Sequence, residues 1–278
     1  MMSLEDTVPR LVRVRTGAGV FYGLADGGRV YLAGNRWPWD RPEWVAFLRG
    51  EGERPRGLPY IDSDEAQLLC PVQPGKVVGV GLNYREHARE VGAALPPAPV
   101  LFLKPATAVI GPGEPILLPP VSARVDYEAE LAVVMGRRGR HIPVAQVPEY
   151  VLGYTCGNDV TARDLQQKDG QWTRSKSFDT FCPLGPWVVP GLDPSHLAVT
   201  CRVNGRVRQE GNTQDLVFSV AELISFISEV MTLEPGDVVL TGTPSGIGPL
   251  EPGDVVEVEV EGVGVLSNPV KIAVDTPS

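Results

Sequence analysis

Residues 125–135 are the stretch that most constrains how this chain can fold. The segment reads Val-Asp-Tyr-Glu-Ala-Glu-Leu-Ala-Val-Val-Met, so strict alternation of apolar and acidic residues gives way to an unbroken apolar run. Because successive side chains of a β-strand point to opposite faces, Asp126, Glu128 and Glu130 share one face of the predicted strand. The apolar run is typical of a strand buried on both sides. The acidic end is therefore predicted to lie at the rim of a core.

Three carboxylates on one strand face repel each other unless water or cations neutralise them. The alternation alone favours a plain solvated face. The alternative is a site for a hard divalent cation, which prefers carboxylate oxygens on a rigid element at a pocket mouth. Such a site needs a further ligand, and Asp159 is the best placed because it follows a predicted buried strand over residues 151–157. Taken by itself, Asp159 is also compatible with a purely structural place in the turn.

Composition limits the class of protein. With 278 residues and 43% hydrophobic content, the chain can bury a substantial core, as one large domain or as a small domain beside a larger one. The 31 glycines and 27 prolines fit many short strands joined by tight turns. The four cysteines are far apart and form no Cys-x-x-Cys pair, so we expect buried, reduced thiols in a cytoplasmic protein.

Charge and hydropathy exclude several kinds of partner. The net charge of -9 argues against nucleic acid and anionic membranes, since no long basic stripe offsets it. No apolar segment approaches the ~20 residues that a membrane-spanning helix requires, and the first residues lack the features of a signal peptide. An anionic small-molecule substrate would have to be captured by a local positive site, such as a metal ion with a Lys or Arg.

Local patterns predict where strands, turns and helices lie. Short apolar runs predict strands over residues 11–14, 20–24, 30–32, 76–82, 101–105, 116–118 and 151–157. Helices are predicted over 43–48, over 83–91 behind an Asn83 cap, over 162–168 behind a Thr161–Asp164 capping box, and after a Ser219–Glu222 capping box. The Asn204-Gly205 pair predicts a tight hairpin, and the similar segments 233–239 and 250–256 predict one Pro-Gly turn used twice. Residues 1–70 are predicted to form a small accessory domain ahead of a larger domain over 71–278.

His87 and Glu90 lie one helical turn apart, at i and i+3, on the predicted helix 83–91. A carboxylate beside an imidazole fixes its tautomer and raises its basicity, as a general base requires. Charged surface helices often contain such pairs, but the chain has only three histidines, and this one follows a strand-to-helix turn. Lys176 is the cation best suited to meet a substrate carboxylate. The glycine- and hydroxyl-rich loop 240–248 can donate N–H groups to an anion, but it lacks the lysine of a phosphate loop.

Several collinear motifs resemble the fumarylacetoacetate hydrolase superfamily between about residues 76 and 270. They are Gly-Leu-Asn-Tyr-x-x-His-x-x-Glu, Phe-Leu-Lys-Pro, Asp-Tyr-Glu-x-Glu-Leu, Asn-Asp-Val-Thr-Ala-Arg-Asp, Lys-Ser-Phe-Asp-Thr-Phe-Cys-Pro-Leu-Gly-Pro and Thr-Gly-Thr-Pro-x-Gly-Ile-Gly. The resemblance is to the 2-hydroxyhepta-2,4-diene-1,7-dioate isomerase and acylpyruvase-like members. It implies an α+β, predominantly β chain with a mixed β-roll catalytic domain and a small N-terminal β-containing domain. It also implies a homodimer with one Mg²⁺ or Mn²⁺ ion per subunit.

The resemblance also implies roles for individual residues. The metal ligands of the family match Glu128, Glu130 and Asp159. The catalytic dyad and the active-site lysine match His87, Glu90 and Lys176, and the residues that contact substrate match Arg163, Gln166 and Thr243. The short N-terminal segment is unlike the larger one of the fumarylacetoacetate hydrolases proper, which argues against fumarylacetoacetate itself as the substrate.

These assignments predict an enzyme that acts on a 2-oxo or 2-hydroxy-diene carboxylic acid through an enolate stabilised by a divalent metal. The expected reaction is isomerisation or decarboxylation of a 2-hydroxyhepta-2,4-diene-1,7-dioate type of compound in aromatic catabolism, or C–C hydrolysis of an acylpyruvate. The alternatives are an oxaloacetate decarboxylase and a non-catalytic ligand-binding homologue. A zinc hydrolase is disfavoured because the ligand set contains oxygen donors only.

Overall fold

The computed structural model describes residues 9–39, 41–48 and 52–273. Strands outnumber helices throughout these ranges, which confirms the predicted α+β, predominantly β class. The four cysteines are free and buried, as expected. None of the helices within these ranges has both the length and the apolar character needed to cross a membrane.

The first part of the chain forms a small antiparallel meander, as predicted. Its elements are β1 (Arg10–Thr16), β2 (Gly19–Asp26), β3 (Arg29–Gly34), α1 (Pro42–Leu48), β4 (Tyr60–Asp62), a 3-10 turn (Ser63–Glu65) and β5 (Gln67–Leu69). The helix α1 matches the prediction for residues 43–48 and buries Trp44 and Leu48. Trp44 packs edge-on against Trp39, with 4.8 Å between the ring centroids.

The remaining elements follow in chain order. They are β6 (Val77–Gly81), α2 (Arg85–Glu90), β7 (Val100–Lys104), β8 (Val109–Ile110), β9 (Ile116–Leu118), β10 (Val125–Tyr127), β11 (Ala129–Met135), β12 (Val151–Asn158), β13 (Thr161–Ala162), α3 (Arg163–Asp169), α4 (Thr173–Lys176), β14 (Cys182–Val189), β15 (Ala198–Val203), β16 (Arg206–Asn212), α5 (Val220–Val230), β17 (Val238–Leu240), β18 (Gly248–Pro249), β19 (Val255–Val260) and β20 (Gly264–Ile272). Short 3-10 turns lie at Ala106–Ala108, Val144–Glu149 and Thr213–Asp215.

Three sheets organise the strands. The largest has the order β4-β3-β2-β1-β14-β12-β11-β17-β6-β7, with β5 and β8 attached beside β1 and β14. The second has the order β16-β15-β19-β20-β9, and the third is the short ladder β13-β10-β18. The N-terminal meander joins the largest sheet where Leu11 of β1 pairs with Val188 of β14. The division of the chain at residue 70 stays a prediction.

Strand β11 lies at the centre of the fold and is buried on both faces, as its apolar run predicts. It pairs with β12 on one side and β17 on the other. Leu131, Val133 and Met135 belong to the larger core cluster, which also contains side chains of α5 and β19. Ala132 and Val134 point the other way, into the cluster that includes the tryptophans of the N-terminal part. Alternate side chains of β11 therefore pack into two core clusters, one on each face of the sheet.

Two predicted helix caps are wrong. Helix α2 begins after Tyr84 without a side-chain cap. Asn83 instead donates from Nδ2 to the carbonyls of Phe218 and Thr241 at 3.1 and 2.8 Å. Helix α3 also starts without a side-chain cap, because Asp164 accepts hydrogen bonds from the Ser122 hydroxyl and the Ala123 N–H. In both cases a tertiary contact holds the polar side chain that would otherwise cap its own helix.

The other local predictions are confirmed. The Ser219–Glu222 capping box is present at the start of α5. Asn204 and Gly205 both have positive φ, at 53° and 72°, as the tight turn between β15 and β16 requires. In the repeated turn, the Asp237 side chain accepts from the Glu234 N–H and the Asp254 side chain accepts from the Glu251 N–H, each at 2.8 Å.

Candidate active site

The acidic segment changes sheet at Glu128. Strand β10 pairs with β13 and β18, whereas β11 pairs with β12 and β17, and Glu128 lies between the two. Its N–H donates to Oδ1 of Asn158 at 3.0 Å, and its carbonyl accepts from the Asp159 N–H at 2.9 Å. These two hydrogen bonds bring Asp159, at the end of β12, beside the acidic strand.

Glu128, Glu130 and Asp159 converge in the protein interior. Their side chains each offer a carboxylate oxygen, and these oxygens lie within 4.8 Å of one another. The three residues are only 4%, 1% and 1% exposed, so the solvated-face interpretation of the strand is wrong. Asp126 is buried as well, but its carboxylate accepts hydrogen bonds from Arg124 and Arg163. Asp126 therefore supports the cluster through arginine and is not part of it.

Buried cations balance two of the three carboxylates. Lys176, the last residue of α4, donates to Oε2 of Glu128 at 2.9 Å and to Oδ2 of Asp159 at 2.5 Å. Lys104, at the end of β7, donates to the other Asp159 oxygen, Oδ1, at 2.6 Å. Arg163 donates from Nη2 to Oε1 of Glu128. Lys104 was not predicted as a site residue, although it lies in the Phe-Leu-Lys-Pro motif.

Glu130 has no such cation. Its Oε2 accepts from the Gly242 N–H at 2.6 Å, and no salt bridge to it occurs among the described residues. Burial, followed by the negative charges of Asp159 and Glu128, raises the pKa of Glu130 well above its usual value. Burial alone would also raise the pKa of Glu128, but the charges of Lys176 and Arg163 outweigh it and hold that pKa below its usual value.

The donor set fits a hard divalent cation. Three carboxylates on the ends of rigid strands supply oxygen ligands alone, which suits Mg²⁺ or Mn²⁺ better than zinc. Glu130 is a buried acid without a cation, and a metal ion would neutralise it. Oε2 of Glu128 and Oδ2 of Asp159 now accept hydrogen bonds from Lys176, so these oxygens already surround one positive group. The residues present could therefore hold a divalent ion.

A cavity of about 280 Å³ opens onto this cluster. Eight of the nine site residues predicted from the sequence line it, namely His87, Glu128, Glu130, Asp159, Arg163, Gln166, Lys176 and Thr243. The ninth, Glu90, lies behind His87, with 3.1 Å between its Oε2 and the histidine Nδ1. Since an ionised carboxylate only accepts hydrogen bonds, Nδ1 carries the proton and Nε2 is left as a base.

The loop between β17 and β18 contacts both the carboxylate cluster and the His87–Glu90 pair. Gly242 N–H donates to Glu130, and Gly246 N–H donates to Oε1 of Glu90 at 2.9 Å. The loop that was predicted to bind an anion thus donates to two carboxylates of the protein itself. Thr243, predicted to contact substrate, donates to the Ala129 carbonyl at 2.8 Å, which ties the loop to strand β11.

The remaining predicted contacts also have protein partners. Arg163 donates from Nη1 to Oε1 of Gln166 at 2.7 Å, in addition to its bonds to Asp126 and Glu128. Gln209 was missed in the sequence; its Nε2 donates to the Thr243 hydroxyl and its Oε1 accepts from the Ala129 N–H. A glutamine in a predicted hairpin strand carries no signal of this role, because such positions usually face solvent.

Comparison with known proteins identifies the family. A family model described as fumarylacetoacetate (FAA) hydrolase C-terminal matches residues 76–271. This chain belongs to the fumarylacetoacetate hydrolase superfamily. The members of this superfamily are enzymes such as isomerases and hydrolases. The resemblance read from the motifs is therefore confirmed over the region that holds the cavity.

Individual members of the superfamily extend this result. The mitochondrial oxaloacetate tautomerase Fahd2a of Rattus norvegicus is 45% identical over 225 residues, which cover 77% of this chain and 72% of that protein. The 5-carboxymethyl-2-hydroxymuconate delta-isomerase from Mycobacterium smegmatis superimposes with a TM-score of 0.84 at 43% identity, covering 95% of this chain and 100% of that one. The 2-hydroxyhepta-2,4-diene-1,7-dioate isomerase from Mycobacterium marinum gives a TM-score of 0.83 at 40% identity, covering 96% and 99%. The predicted family fold is thus confirmed.

Proposed function

We propose that this protein is a metal-dependent enzyme that interconverts tautomers or double-bond isomers of a 2-oxo acid through an enolate. The convergence of the Glu128, Glu130 and Asp159 carboxylates in a cavity that His87 also lines carries the proposal. One Mg²⁺ or Mn²⁺ ion per subunit, held by these carboxylates, would supply the Lewis acidity that stabilises negative charge on the 2-oxo oxygen of the substrate.

Side chains of this protein would bind the substrate carboxylate and transfer the proton. Lys176 lies between two of the carboxylates and would provide positive charge for a substrate carboxylate. His87 Nε2 would take a proton from C3 of the substrate and return it to the 2-oxo oxygen, which converts the keto form into the enol. Glu90 would hold the imidazole ring in the tautomer that leaves Nε2 free.

Proton transfer alone is the reaction that the relatives support best, since they include an oxaloacetate tautomerase and two isomerases. Isomerisation of a 2-hydroxyhepta-2,4-diene-1,7-dioate type of acid in aromatic catabolism belongs to this class. A second candidate is C–C hydrolysis of an acylpyruvate, which the free Nε2 of His87 favours because it could activate a water molecule. Decarboxylation of oxaloacetate would use the same enolate. The proposed assembly is a homodimer with a small-molecule substrate and no nucleic-acid or membrane partner.

A screen with and without EDTA tests the proposal. Enol–keto conversion of oxaloacetate, isomerisation of dienoic diacids and cleavage of acetylpyruvate would each be followed by ultraviolet absorbance after addition of Mg²⁺ or Mn²⁺. We expect turnover that EDTA abolishes. His87→Ala should remove turnover while calorimetry shows unchanged metal binding, and Glu128→Ala should lose the metal. Absence of metal-dependent turnover on every compound would instead favour a ligand-binding homologue.

A further inference from the structure

Tyr127 contacts the loop that holds the partner of the proposed base. Its hydroxyl donates to the Gly246 carbonyl at 3.1 Å. The N–H of the same glycine donates to Oε1 of Glu90 at 2.9 Å, and Oε2 of Glu90 lies 3.1 Å from Nδ1 of His87. Hydrogen bonds that pass through a single residue of the loop therefore connect the Tyr127 hydroxyl to the imidazole ring.

Gly246 needs such a contact because the backbone of a glycine is unusually free to rotate. Its φ of 99° lies in a region that other residues rarely adopt. A Cβ atom at this position would lie 2.1 Å from the Arg208 carbonyl oxygen, so a larger residue does not fit there without a shift of the backbone. The direction of the Gly246 N–H therefore depends on the contacts on either side of its Cα. The Tyr127 hydroxyl supplies one of them, on the carbonyl side.

Strand β10 fixes the position of the Tyr127 side chain. Tyr127 pairs with Gly248 of β18 and is only 4% exposed. A Cβ atom on Gly248 would lie 2.8 Å from the Tyr127 hydroxyl oxygen, so the phenol rests directly on this glycine. Tyr127 is not among the described residues that line the cavity beside the carboxylate cluster. Its effect on a substrate in that cavity must therefore pass through other residues.

We infer that Tyr127 is a positioning residue for His87, the proposed general base. Its hydroxyl fixes the backbone of Gly246, and Gly246 in turn holds Glu90. The inference rests on the proposed function for the role of His87 and deepens it. Without the hydroxyl, Gly246 can turn its N–H away from Glu90, and the carboxylate is then free to rotate. The Nδ1 proton of His87 loses its fixed acceptor, so Nε2 is available as a base for a smaller fraction of the time.

Tyr127→Phe tests the inference because it removes the hydroxyl and keeps the ring. In the absorbance assay with Mg²⁺, we expect kcat to fall by about tenfold, as for loss of a group that orients a catalytic residue, with KM changed by less than about twofold. Calorimetry should show unchanged Mg²⁺ affinity. The matched control is Tyr22→Phe, which should leave kcat unchanged. Tyr22 is 5% exposed, and its hydroxyl donates to Oε1 of Gln73 at 3.3 Å.

A double-mutant cycle separates positioning of the base from a general weakening of the loop. Glu90→Ala removes the group through which Tyr127 is inferred to act. In that background, Tyr127→Phe should change kcat by less than about twofold, because the two residues belong to one hydrogen-bonded series. A further tenfold loss would mean that the two side chains act independently, and it would contradict the inference.

The tautomer of His87 provides a readout that does not depend on turnover. Nuclear magnetic resonance of ¹⁵N-labelled histidine distinguishes a protonated from an unprotonated ring nitrogen above about pH 8, where an ordinary imidazole is neutral. The chain has only three histidines, so His87→Ala identifies the His87 signals. With Mg²⁺ present, the unaltered protein should carry the proton on Nδ1. Tyr127→Phe should shift both ring signals toward a mixture of tautomers, and Tyr22→Phe should not.

The outcomes distinguish the inference from the proposed function. Absence of metal-dependent turnover in the unaltered protein would overturn the proposed function, while the His87 signals would still decide whether Tyr127 orients the ring. Unchanged His87 signals in folded Tyr127→Phe, verified by circular dichroism, would overturn the inference. An undiminished kcat in an active Tyr127→Phe protein would overturn it as well and leave the proposed function standing.

Discussion

The ammonium group of Lys104 lies 2.6 Å from Oδ1 of Asp159, and the two side chains are 0% and 1% exposed. Lys104 also donates to the Val160 carbonyl at 3.2 Å and does not line the cavity, so it approaches the carboxylate cluster from behind. It holds one Asp159 oxygen and leaves the other directed toward Lys176. A fully buried lysine thus balances the charge of a proposed metal ligand without occupying the site.

Replacing Lys104 by Met should destabilise the protein strongly. The change leaves the Asp159 carboxylate buried with one oxygen unpaired, a loss that costs on the order of 3–5 kcal/mol in the free energy of unfolding. Urea denaturation followed by circular dichroism would measure it. Arg56→Met is the matched control, since the Arg56 side chain is 85% exposed in its pair with Glu53 and should leave stability nearly unchanged. Equal midpoints for the two variants would contradict the structural role of Lys104.

Glu130→Gln should stabilise the metal-free protein and abolish metal binding. The amide can still accept from Gly242 N–H, and it replaces an acid whose ionisation is disfavoured by burial and by two neighbouring carboxylates. We expect a melting temperature a few degrees higher in EDTA, together with loss of the Mg²⁺ or Mn²⁺ signal in calorimetry. Glu128→Gln should lower the melting temperature, because it removes one of the two carboxylate partners of Lys176 and one of the two of Arg163. The same sign of shift for both variants would argue against this charge distribution.

Glu90→Gln should impair turnover without impairing metal binding. The Gln oxygen would keep the bond to Gly246 N–H, which turns its NH₂ group toward His87 Nδ1. Nδ1 must then accept, so the proton moves to Nε2 and the base is lost. A wrong tautomer of this kind lowers kcat by on the order of 10²- to 10⁴-fold in a base-catalysed reaction. The absorbance assay would measure kcat, and activity near that of the wild-type protein would remove Glu90 from the dyad.

The cap of α5 should give stability a defined pH dependence. The Ser219 hydroxyl and N–H lower the pKa of Glu222. This carboxylate therefore stabilises the fold above its unfolded-state pKa, and the stabilisation is lost as the pH falls through the folded-state pKa. Ser219→Ala should cost about 1 kcal/mol at pH 7. Glu222→Gln retains a capping side chain but should flatten this contribution between pH 7 and pH 3, as measured by thermal melts at each pH.

Features that depend on neighbours in the chain could be predicted from the sequence. The two-sided burial of β11, the Asn204-Gly205 turn and the Ser219–Glu222 box follow from periodicity and local hydrogen bonding. Asn83 and Thr161 were assigned wrongly by the same rules. Asn83 bonds to groups more than 130 residues away in the sequence, and the Thr161 hydroxyl donates to the Asp159 carbonyl. A local rule does not include the distant partners of Asn83, and at Thr161 it chose the helix cap over the equally local Asp159 carbonyl.

The candidate site needed more than local patterns. The alternation of residues 125–130 placed Glu128 and Glu130 on a strand, but it did not predict that the strand breaks at Glu128 and brings in Asp159. Local patterns singled out Asp159, His87 and Lys176, the family motifs assigned their roles, and the structure brings them around one cavity. Lys104 could not be predicted, because a buried lysine is interpretable only once the carboxylate beside it is known.

The loop from Gly242 to Gly246 is a place where a substitution would affect two parts of the proposed site. Four residues apart, the same backbone holds the carboxylate of Glu130 and the carboxylate that orients His87. Any displacement of this loop would therefore disturb both the proposed metal ligand and the base together. Damage to the loop and damage to either partner should not combine additively. A single substitution in this loop can therefore impair the proposed metal ligand and the proposed base at once.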